Sequence, residues 1–221
     1  MKKSNKEGNY VKVKQNTLAL SIAWLGIMYG EVFLNTSLKG NVLYIGLTLW
    51  TVLGALGMLL LNHFFSWKNP IDQKESLPAI KELGLILISF ILLILLQNLL
   101  MVFEYKVLKQ PLGSANTNTL ISIYHHYPYY LFSIVLAAPI MEELVFRKAI
   151  FGNLCQFCPP LISALLSSAL FSIAHGDGHF LVYAMMGLVL CYCYYKGGKL
   201  RTSMAVHILL NAFILLSSNL N

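Results

Sequence analysis

The chain has 221 residues, of which 57% are hydrophobic and only 11% are charged. A soluble domain carries about 25% charged residues, so this composition excludes an ordinary soluble protein and indicates a membrane protein. The net charge is +7, but the basic residues lie between apolar runs and form no groove interleaved with aromatic residues. The expected surroundings are therefore a lipid bilayer, and nucleic acid is not an expected partner.

The N-terminal stretch MKKSNKEGNYVKVKQN contains five lysines and one glutamate, and a long apolar run follows it. That run is longer than the hydrophobic region of a signal peptide, and no A-x-A-like cleavage site follows it. Residues 1–16 are therefore predicted to be a retained, basic cytoplasmic tail. No repeat or low-complexity linker divides the rest, so 17–221 are predicted to form a single transmembrane domain.

Seven apolar segments approach the roughly 20 residues that a membrane-spanning helix needs. They are 17–35, 43–62, 83–103, 128–150, 159–176, 180–196 and 202–218. Continuous runs such as SFILLILLQNLL lack the alternation of a membrane β-barrel strand. The predicted fold class is all-α, a polytopic membrane helix bundle of about seven transmembrane helices. The fifth and sixth segments are short, and a re-entrant pair is the alternative for them.

The distribution of Lys and Arg predicts the orientation, because cytoplasmic loops carry an excess of both. With the N-terminus inside, thirteen of the 16 Lys and Arg residues fall in cytoplasmic segments and three in outer segments. The sequence therefore predicts a multi-pass protein of the cell membrane with a cytoplasmic N-terminus and an outer C-terminus.

A few ionisable residues lie within the predicted spans, where each costs about 2.5–3.5 kcal/mol on insertion scales and is a functional candidate by default. With Asn211 as an uncharged companion, they are Glu31, Glu142, Glu143, Arg147, His175 and His207. Glu31 lies near the outer end of its span and is expected to reach the membrane interface.

The spacing within EELVFR separates its two glutamates. Glu143 and Arg147 are four residues apart, so they share a helix face and are expected to form an ion pair. Glu142 is offset from Glu143 by about 100° around an α-helix, so it can face a space that Arg147 does not neutralise. Glu142 is thus the carboxylate predicted to be free for chemistry.

Two further helices carry polar residues at the same four-residue spacing. Phe171 and His175 stand in FSIAH, and His207 and Asn211 stand in HILLN. A lone histidine or asparagine in a membrane helix is usually a packing residue. The combination on three helices is what packing explains poorly. By contrast, turn chemistry accounts for the polar residues of the segment GDGH, 176–179.

A carboxylate beside a neutral imidazole can take a proton from water. A second imidazole and an amide can donate hydrogen bonds to the oxyanion that forms, and such donors are worth about 2.7–4 kcal/mol each. These are the groups needed to hydrolyse an amide without a Ser or Cys nucleophile. The same Glu/His/His set could instead hold zinc with an open position for water. The H-E-x-x-H motif of zinc proteases is absent, but zinc is not excluded.

The three motifs EELVFR, FSIAH and HILLN occur in this order, each on its own predicted membrane helix. In this the chain resembles the CPBP family of intramembrane endopeptidases, which includes CAAX proteases and bacteriocin-processing enzymes and is also called the Abi family. The resemblance covers about 128–218, which would be the catalytic core.

The resemblance implies roles for four residues of this chain. Glu142 and His175 would activate the water, while His207 and Asn211 would form the oxyanion hole. The family is regarded as glutamate-dependent, so no metal cofactor is implied. Helix geometry agrees with that scheme but does not itself choose it over zinc.

The resemblance also implies supporting residues and a kind of substrate. Glu143, Arg147 and Phe171 would position the site. The expected partner is a peptide or membrane-protein substrate, and the expected activity is intramembrane endopeptidase. Small bacterial members act in bacteriocin self-immunity or in processing of secreted or signalling peptides. The alternatives are a non-catalytic membrane immunity or binding protein and a prenyl-protein (CAAX) protease. A transporter is disfavoured, because the sequence has no internal repeat and no matching pair of broken helices.

One geometric conflict follows from the predicted topology. On straight antiparallel spans, Glu142 falls in the inner half of its helix and His175 toward the outer end of the next. A rise of 1.5 Å per residue would separate them in depth. Convergence would need a late start of the fourth helix, inward displacement of the fifth, or a GDGH segment that dips into the membrane.

Overall fold

The structure, a computed structural model, describes residues 2–218, with side chains described from residue 11. Within those residues it contains helices and connecting turns but no strand, which confirms the predicted all-α membrane bundle. Its helical elements are α1 (Lys2–Ser37), α2 (Gly40–Phe64), α3 (Ala79–Leu108), α4 (Ala115–His126), α5 (Pro128–Gly152), α6 (Pro160–His175), α7 (Phe180–Gly197) and α8 (Leu200–Ser217).

All seven predicted spans are helices, and six of these are long and apolar enough to cross a membrane. The exception is α6, which has 16 residues and is therefore about 24 Å long, less than the roughly 30 Å hydrocarbon core. The apolar side chains on the outer faces of the bundle are exposed, as expected for contact with lipid, Leu53, Ile88 and Leu95 among them.

Two elements differ from the predicted boundaries. Helix α1 begins at Lys2, so the segment predicted as a tail continues the first span without a break. Helix α4 lies inside the predicted connection 104–127, and its polar composition hid it from a search for apolar runs. The side chain of Ser114 caps α4 by accepting a hydrogen bond from the backbone N–H of Thr117.

Proline and glycine set several helix boundaries. Helices α3 and α6 each begin directly after a proline, Pro78 and Pro159 respectively. Helices α6 and α7 each end at a glycine with positive φ, Gly176 at 62° and Gly198 at 70°. Glycine adopts this left-handed conformation without the steric cost that a Cβ brings.

The helices differ in how deeply they are buried. Half of the apolar window of α5 and 56% of that of α7 is buried, against 11% for α1 and for α3. Helix α6 packs along α7, and α3 and α8 pack against α7 as well. The main core cluster draws on seven helices, with Leu20, Met58, Leu93, Leu144, Phe171, Leu190 and Val206 among its buried members. The motif-bearing α5, α6 and α8 thus meet in the interior.

One end of the bundle is closed by a polar network, and this end, formed by 63–78, 153–159 and 197–199, is called the basic end below. Lys148 Nζ donates hydrogen bonds to the carboxylate of Asp72 and, at 2.6 Å, to the carbonyl of Trp67. Tyr194 donates to Asp72 Oδ1 at 2.6 Å and accepts from Asn69 Nδ2 at 2.8 Å. These bonds fix the 66–78 loop to α5 and α7.

Helix α5 departs from regular α-helical geometry. It contains π-helical segments at Phe132–Ala137 and Glu143–Gly152, separated by one α-helical stretch at Ala138–Glu142. A π-helix has i→i+5 hydrogen bonds, and such wider turns recur at functional sites. The two glutamates of EELVFR therefore stand at the junction where the helix changes its winding.

Candidate active site

A cavity of about 290 Å³ lies inside the half of the bundle away from the basic end. Its walls come from α1, α2, α3, α4, α5, α6, α7 and α8. Four motif residues line it together: Glu142 from α5, His175 from α6, and His207 and Asn211 from α8. The fold thus places the four predicted catalytic candidates around one cavity.

The short α6 removes the conflict in depth between Glu142 and His175. Both residues line the same cavity, so the two motifs converge. Because α6 is about 24 Å long, its C-terminal His175 lies deeper in the bundle than the end of a full span would. The segment around Ser114 covers that end and contacts the loop after α6 through a hydrogen bond to Asp177.

Glu143 and Arg147 form the predicted ion pair, and both are fully buried. Arg147 Nε lies 3.3 Å from Glu143 Oε1. The same carboxylate oxygen accepts a hydrogen bond of 3.1 Å from His207 Nδ1. Glu143 Oε2 and the Arg147 nitrogens make no well-aligned hydrogen bond among the described residues. This buried charge pair is therefore incompletely satisfied, and it lies directly behind the cavity.

Glu142 faces a different environment from Glu143. Its side chain keeps 21% of its surface exposed, and its Oε2 lies 3.6 Å from His207 Nε2. That distance is too long for a direct hydrogen bond but fits an electrostatic contact. His207 thus stands between the two carboxylates, with Nδ1 on Glu143 and Nε2 toward Glu142. Arg147 neutralises only Glu143, as the spacing predicted.

Phe171 connects the three motifs through its ring. It is fully buried, and the Arg147 guanidinium lies 4.2 Å above the ring centroid, in the range of a cation–π contact. The ring centroid of His175 lies 4.4 Å away, and that of His207 lies 6.0 Å away in an edge-on arrangement. The aromatic residue of F-x-x-x-H is therefore a packing centre that holds the charged groups in place.

One hydrogen bond and contacts with two aromatic rings fix the orientation of His175. Nδ1 lies 2.9 Å from the carbonyl oxygen of Phe171. A carbonyl can only accept, so Nδ1 carries the proton and, in the neutral ring, Nε2 keeps its lone pair. Tyr183 stacks on the imidazole at 3.9 Å between centroids. His175 is thus held as the tautomer that can accept a proton at Nε2.

The side-chain amide of Asn211 forms a hydrogen bond with helix α5. Its Nδ2 donates a 3.0 Å hydrogen bond to the carbonyl of Ile134, in the first π-helical segment of α5. An amide nitrogen has two hydrogens, so one donor remains for the cavity. The winding of α5 thus provides the acceptor that fixes this side chain.

The loop after α6 holds Tyr183 in turn. The hydroxyl of Tyr183 lies 3.0 Å from Ser114 Oγ and donates to Asp177 Oδ2 at 3.1 Å. Partial burial on its own would raise the pKa of Asp177, but hydrogen bonds from Ser114, the backbone N–H of His179 and Tyr183 outweigh it and hold the pKa below its usual range. A charged Asp177 therefore anchors the stack on His175.

The interpretation of GDGH as turn chemistry was incomplete. The backbone N–H of His179 does donate to Asp177 Oδ1, but its ring is buried and lies 2.7 Å from Glu104 Oε2. Glu104, also fully buried, accepts a second bond from the backbone N–H of Leu181. Glu104 was not among the predicted site residues, because it and His179 are separated by 75 positions. Sequence spacing alone carries no signal for such a pair.

Glu31 lines the cavity together with Glu142. Its expected reach to the membrane interface stays a prediction. Close to Glu31, α1 packs against α2, where Trp50 Nε1 donates a 3.0 Å hydrogen bond to the carbonyl of Ile27.

Zinc binding was tested against the donor geometry. In the described part of the chain, no group of three or more His, Cys, Asp or Glu side chains is arranged to hold a metal ion. His175 directs Nδ1 to a backbone carbonyl, and His207 directs Nδ1 to Glu143. The donors around the cavity are thus arranged as a hydrogen-bonded set.

A helical membrane bundle with carboxylates and imidazoles around an internal cavity has the groups that an intramembrane peptidase needs. Comparison with known proteins agrees with such a peptidase. Residues 124–213 match the family described as Rce1-like, type II CAAX prenyl endopeptidase. The match contains all three motifs. Over this stretch, which is less than half of the chain, the sequence is similar to the CAAX protease family.

Three curated relatives are similar over longer stretches. The membrane-embedded CAAX protease MroQ of Staphylococcus aureus is 29% identical over 81% of this chain and 75% of its own length. The putative membrane peptidase YdiL of Bacillus subtilis is 30% identical over 51% of this chain and 47% of its own. The UPF0177 protein YvdC of Lactococcus lactis is 34% identical over 58% and 50%. The chain thus spans about half the length of the latter two, and the comparisons support a CAAX-protease-like membrane peptidase.

No solved structure matches the chain significantly.

Proposed function

We propose that the chain is an intramembrane endopeptidase in which Glu142 is the general base. The observation that carries this proposal is that the two neighbouring glutamates have different surroundings. Glu143 is buried against Arg147, whereas Glu142 faces the cavity with part of its surface free. A carboxylate that has no Lys or Arg partner and reaches water can accept its proton.

In the proposed reaction, a water molecule binds between Glu142 and His175. Glu142 takes one proton as the water oxygen attacks the carbonyl carbon of the scissile peptide bond. The tetrahedral oxyanion then collapses, the C–N bond breaks, and the proton passes to the leaving nitrogen. His175 positions the water, because its unprotonated Nε2 can accept a hydrogen bond from the second O–H of the water. Atoms and charges balance without any further reactant.

The proposed oxyanion hole is formed by α8. Nε2 of His207 and the remaining amide hydrogen of Asn211 both adjoin the cavity one helical turn apart. When Nε2 carries a proton, it can donate a hydrogen bond to the oxyanion while Nδ1 continues to donate to Glu143. Donors fixed in advance cost no reorganisation during the reaction and are worth about 2.7–4 kcal/mol each. Glu143, Arg147 and Phe171 hold these donors in position.

The proposed biological role is bacteriocin self-immunity or maturation of a secreted or signalling peptide. The second candidate is cleavage of prenylated C-termini, which the names of the matching family and of MroQ favour. The Lys and Arg distribution supports a cytoplasmic basic end. The cavity lies in the opposite half of the bundle, so this orientation favours a peptide that is crossing or leaving the membrane.

The experiment that tests the activity compares the wild type with Glu142→Gln and His175→Ala in the native host. Mass spectrometry of secreted and membrane peptides, normalised to protein level, is the measurement. We expect one or more peptides to be cut by the wild type only, because Gln keeps the shape of Glu but cannot take a proton. Survival against the host's own bacteriocin, measured in parallel, tests the immunity role.

Two results would change the proposal. Protection that persists in both variants at equal protein level would favour a non-catalytic binding protein. Cleavage that is lost on zinc chelation and restored by zinc would favour a metal-dependent reaction. The proposal expects activity to survive chelation, and the purified wild type in proteoliposomes, with and without chelator, provides that comparison.

A further inference from the structure

Glu31 is an acidic residue of the cavity that none of the three motifs contains. It lies on α1, outside the matched stretch 124–213, and lines the cavity with Glu142. A carboxylate in a membrane span costs about 2.5–3.5 kcal/mol on insertion scales, so its position requires a compensating interaction.

No such interaction exists within the described residues. No Lys, Arg or His forms an ion pair with Glu31, whereas Glu82, Glu104 and Glu143 each contact a basic side chain. The neighbouring hydroxyls of Thr51 and Ser133 bond to each other at 2.6 Å. Glu31 is thus a cavity carboxylate without a protein partner.

Besides Glu31, the cavity wall contains one other carboxylate, Glu142, together with neutral polar and apolar side chains. It contains no Lys or Arg, and two of its three histidines already contact carboxylates, His179 with Glu104 and His207 with both motif glutamates. Apolar side chains supply much of the remaining wall, such as Trp24, Met28, Met101 and Ile134. Two carboxylates in a low-dielectric cavity create a negative potential that favours a cation. The complementary ligand is apolar with one positive charge.

We propose that Glu31 is a specificity residue that binds a basic side chain, Lys or Arg, next to the scissile bond of the peptide substrate. This inference rests on the proposed function, because it assumes that a peptide occupies the cavity. A peptide whose carbonyl lies at Glu142 places an adjacent side chain against the α1 wall of the same cavity. The cation then neutralises Glu31, and its apolar stem lies against Trp24 or Met28.

The test uses the full chain in proteoliposomes and N-acetylated peptides, which carry no free amino group. The peptides share an apolar sequence and differ at one position flanking the scissile bond, which carries Lys, norleucine or Glu. Wild type should cleave the Lys peptide with a kcat/KM about 10- to 100-fold above the norleucine peptide, the range of one charge-assisted hydrogen bond. Glu31→Gln should abolish that preference and keep norleucine cleavage. Glu31→Lys should prefer the Glu peptide.

A matched control is Glu75→Gln, the same chemical change in an exposed loop at the basic end. It should leave the preference unchanged. Equal cleavage of Lys and norleucine peptides by wild type would overturn the inference. So would an equal loss of both in Glu31→Gln, because Glu31 would then act in the chemistry or the fold.

A binding measurement separates this inference from the proposed function. Fluorescence anisotropy reports the affinity of labelled Lys and norleucine peptides for Glu142→Gln and for the Glu31→Gln/Glu142→Gln double variant. We expect tighter binding of the Lys peptide only where Glu31 is present. If wild type cleaves nothing but this pattern holds, the catalytic proposal fails and Glu31 keeps its role. If binding is indifferent to Lys in both variants, the inference is wrong.

Discussion

The basic end and the cavity are both built around buried charges, yet they are satisfied to different degrees. At the basic end, Lys148 and Tyr194 both donate short hydrogen bonds to Asp72. Trp67 Nε1 and Asn153 Oδ1 are buried there without a partner among the described residues, but both are neutral groups. Beside the cavity, Glu143 and Arg147 are at least as deeply buried, but Glu143 Oε2 and the Arg147 nitrogens have no well-aligned partner. The unsatisfied charged groups border the cavity, whereas no residue of 63–78, 153–159 or 197–199 lines it.

The comparison distinguishes polar groups that stabilise the fold of a membrane protein from polar groups that serve its function. A buried polar group without a partner costs roughly 1–3 kcal/mol, and more if it is charged. The basic end bears that cost only at neutral groups, and its charged groups brace the 66–78 loop. The network beside the cavity leaves charged groups unsatisfied, and its Arg147 pairs with Glu143 but not with Glu142. Substitutions in the two regions should therefore separate stability from activity.

The largest effect on stability is expected for Arg147→Ala. It leaves Glu143 as an uncompensated buried charge, which should reduce the free energy of unfolding by roughly 3–5 kcal/mol. The yield of folded protein and its thermal unfolding in detergent measure the change.

The double variant Glu143→Gln/Arg147→Met is the control for Arg147→Ala. Removing both charges should recover much of the lost stability, because an apolar replacement of a buried pair is often neutral. Activity should stay low, since His207 has lost its carboxylate acceptor. Full inactivity of Arg147→Ala at unchanged stability would instead place Arg147 in the chemistry.

A smaller loss of stability, about 1–3 kcal/mol, is expected for Lys148→Met at the basic end. The substitution removes the ammonium donor and leaves Asp72 with Tyr194 as its remaining side-chain donor. Cleavage per folded molecule should stay at the wild-type level, because this network does not reach the cavity.

Lys81→Met, at an exposed position near the same end, is the matched control and should change neither stability nor activity. A strong loss of specific activity in Lys148→Met would show that the basic end is coupled to the site. The contrast between the two regions would then fail.

Much of this architecture could be predicted from the sequence because it depends on local patterns. Apolar runs located the spans, and four-residue spacings located the pairs around Glu143 and His175. The rest depends on contacts between distant positions. Helix α4 is polar, Glu31 lines a cavity whose walls come from all eight helices, and Glu104 contacts His179 across 75 positions. The π-helical winding of α5 has no simple residue signature.

A moderate effect on activity is expected for Tyr183→Phe. The ring still stacks on His175, but the bonds to Ser114 and Asp177 are lost, which should lower kcat/KM about 2- to 10-fold. Tyr183→Leu removes the stack as well and should lower it further. Because Tyr183 acts through His175, the pH profile of kcat/KM should shift in both variants while KM changes little. An unchanged profile in both would reduce Tyr183 to a packing residue.

The smallest effect is expected at Asp177, a partly buried residue of the loop after α6 whose contribution to stability depends on pH. Its pKa in the folded chain lies below the ordinary value of 3.8, so charged Asp177 stabilises the fold above that pH. The stabilisation is lost as the pH falls through the lower, folded pKa. The unfolding temperatures of wild type and Asp177→Asn should therefore differ most near neutral pH and converge below about pH 4. A difference that stays constant with pH would mean that hydrogen bonding, and not the charge, anchors Tyr183.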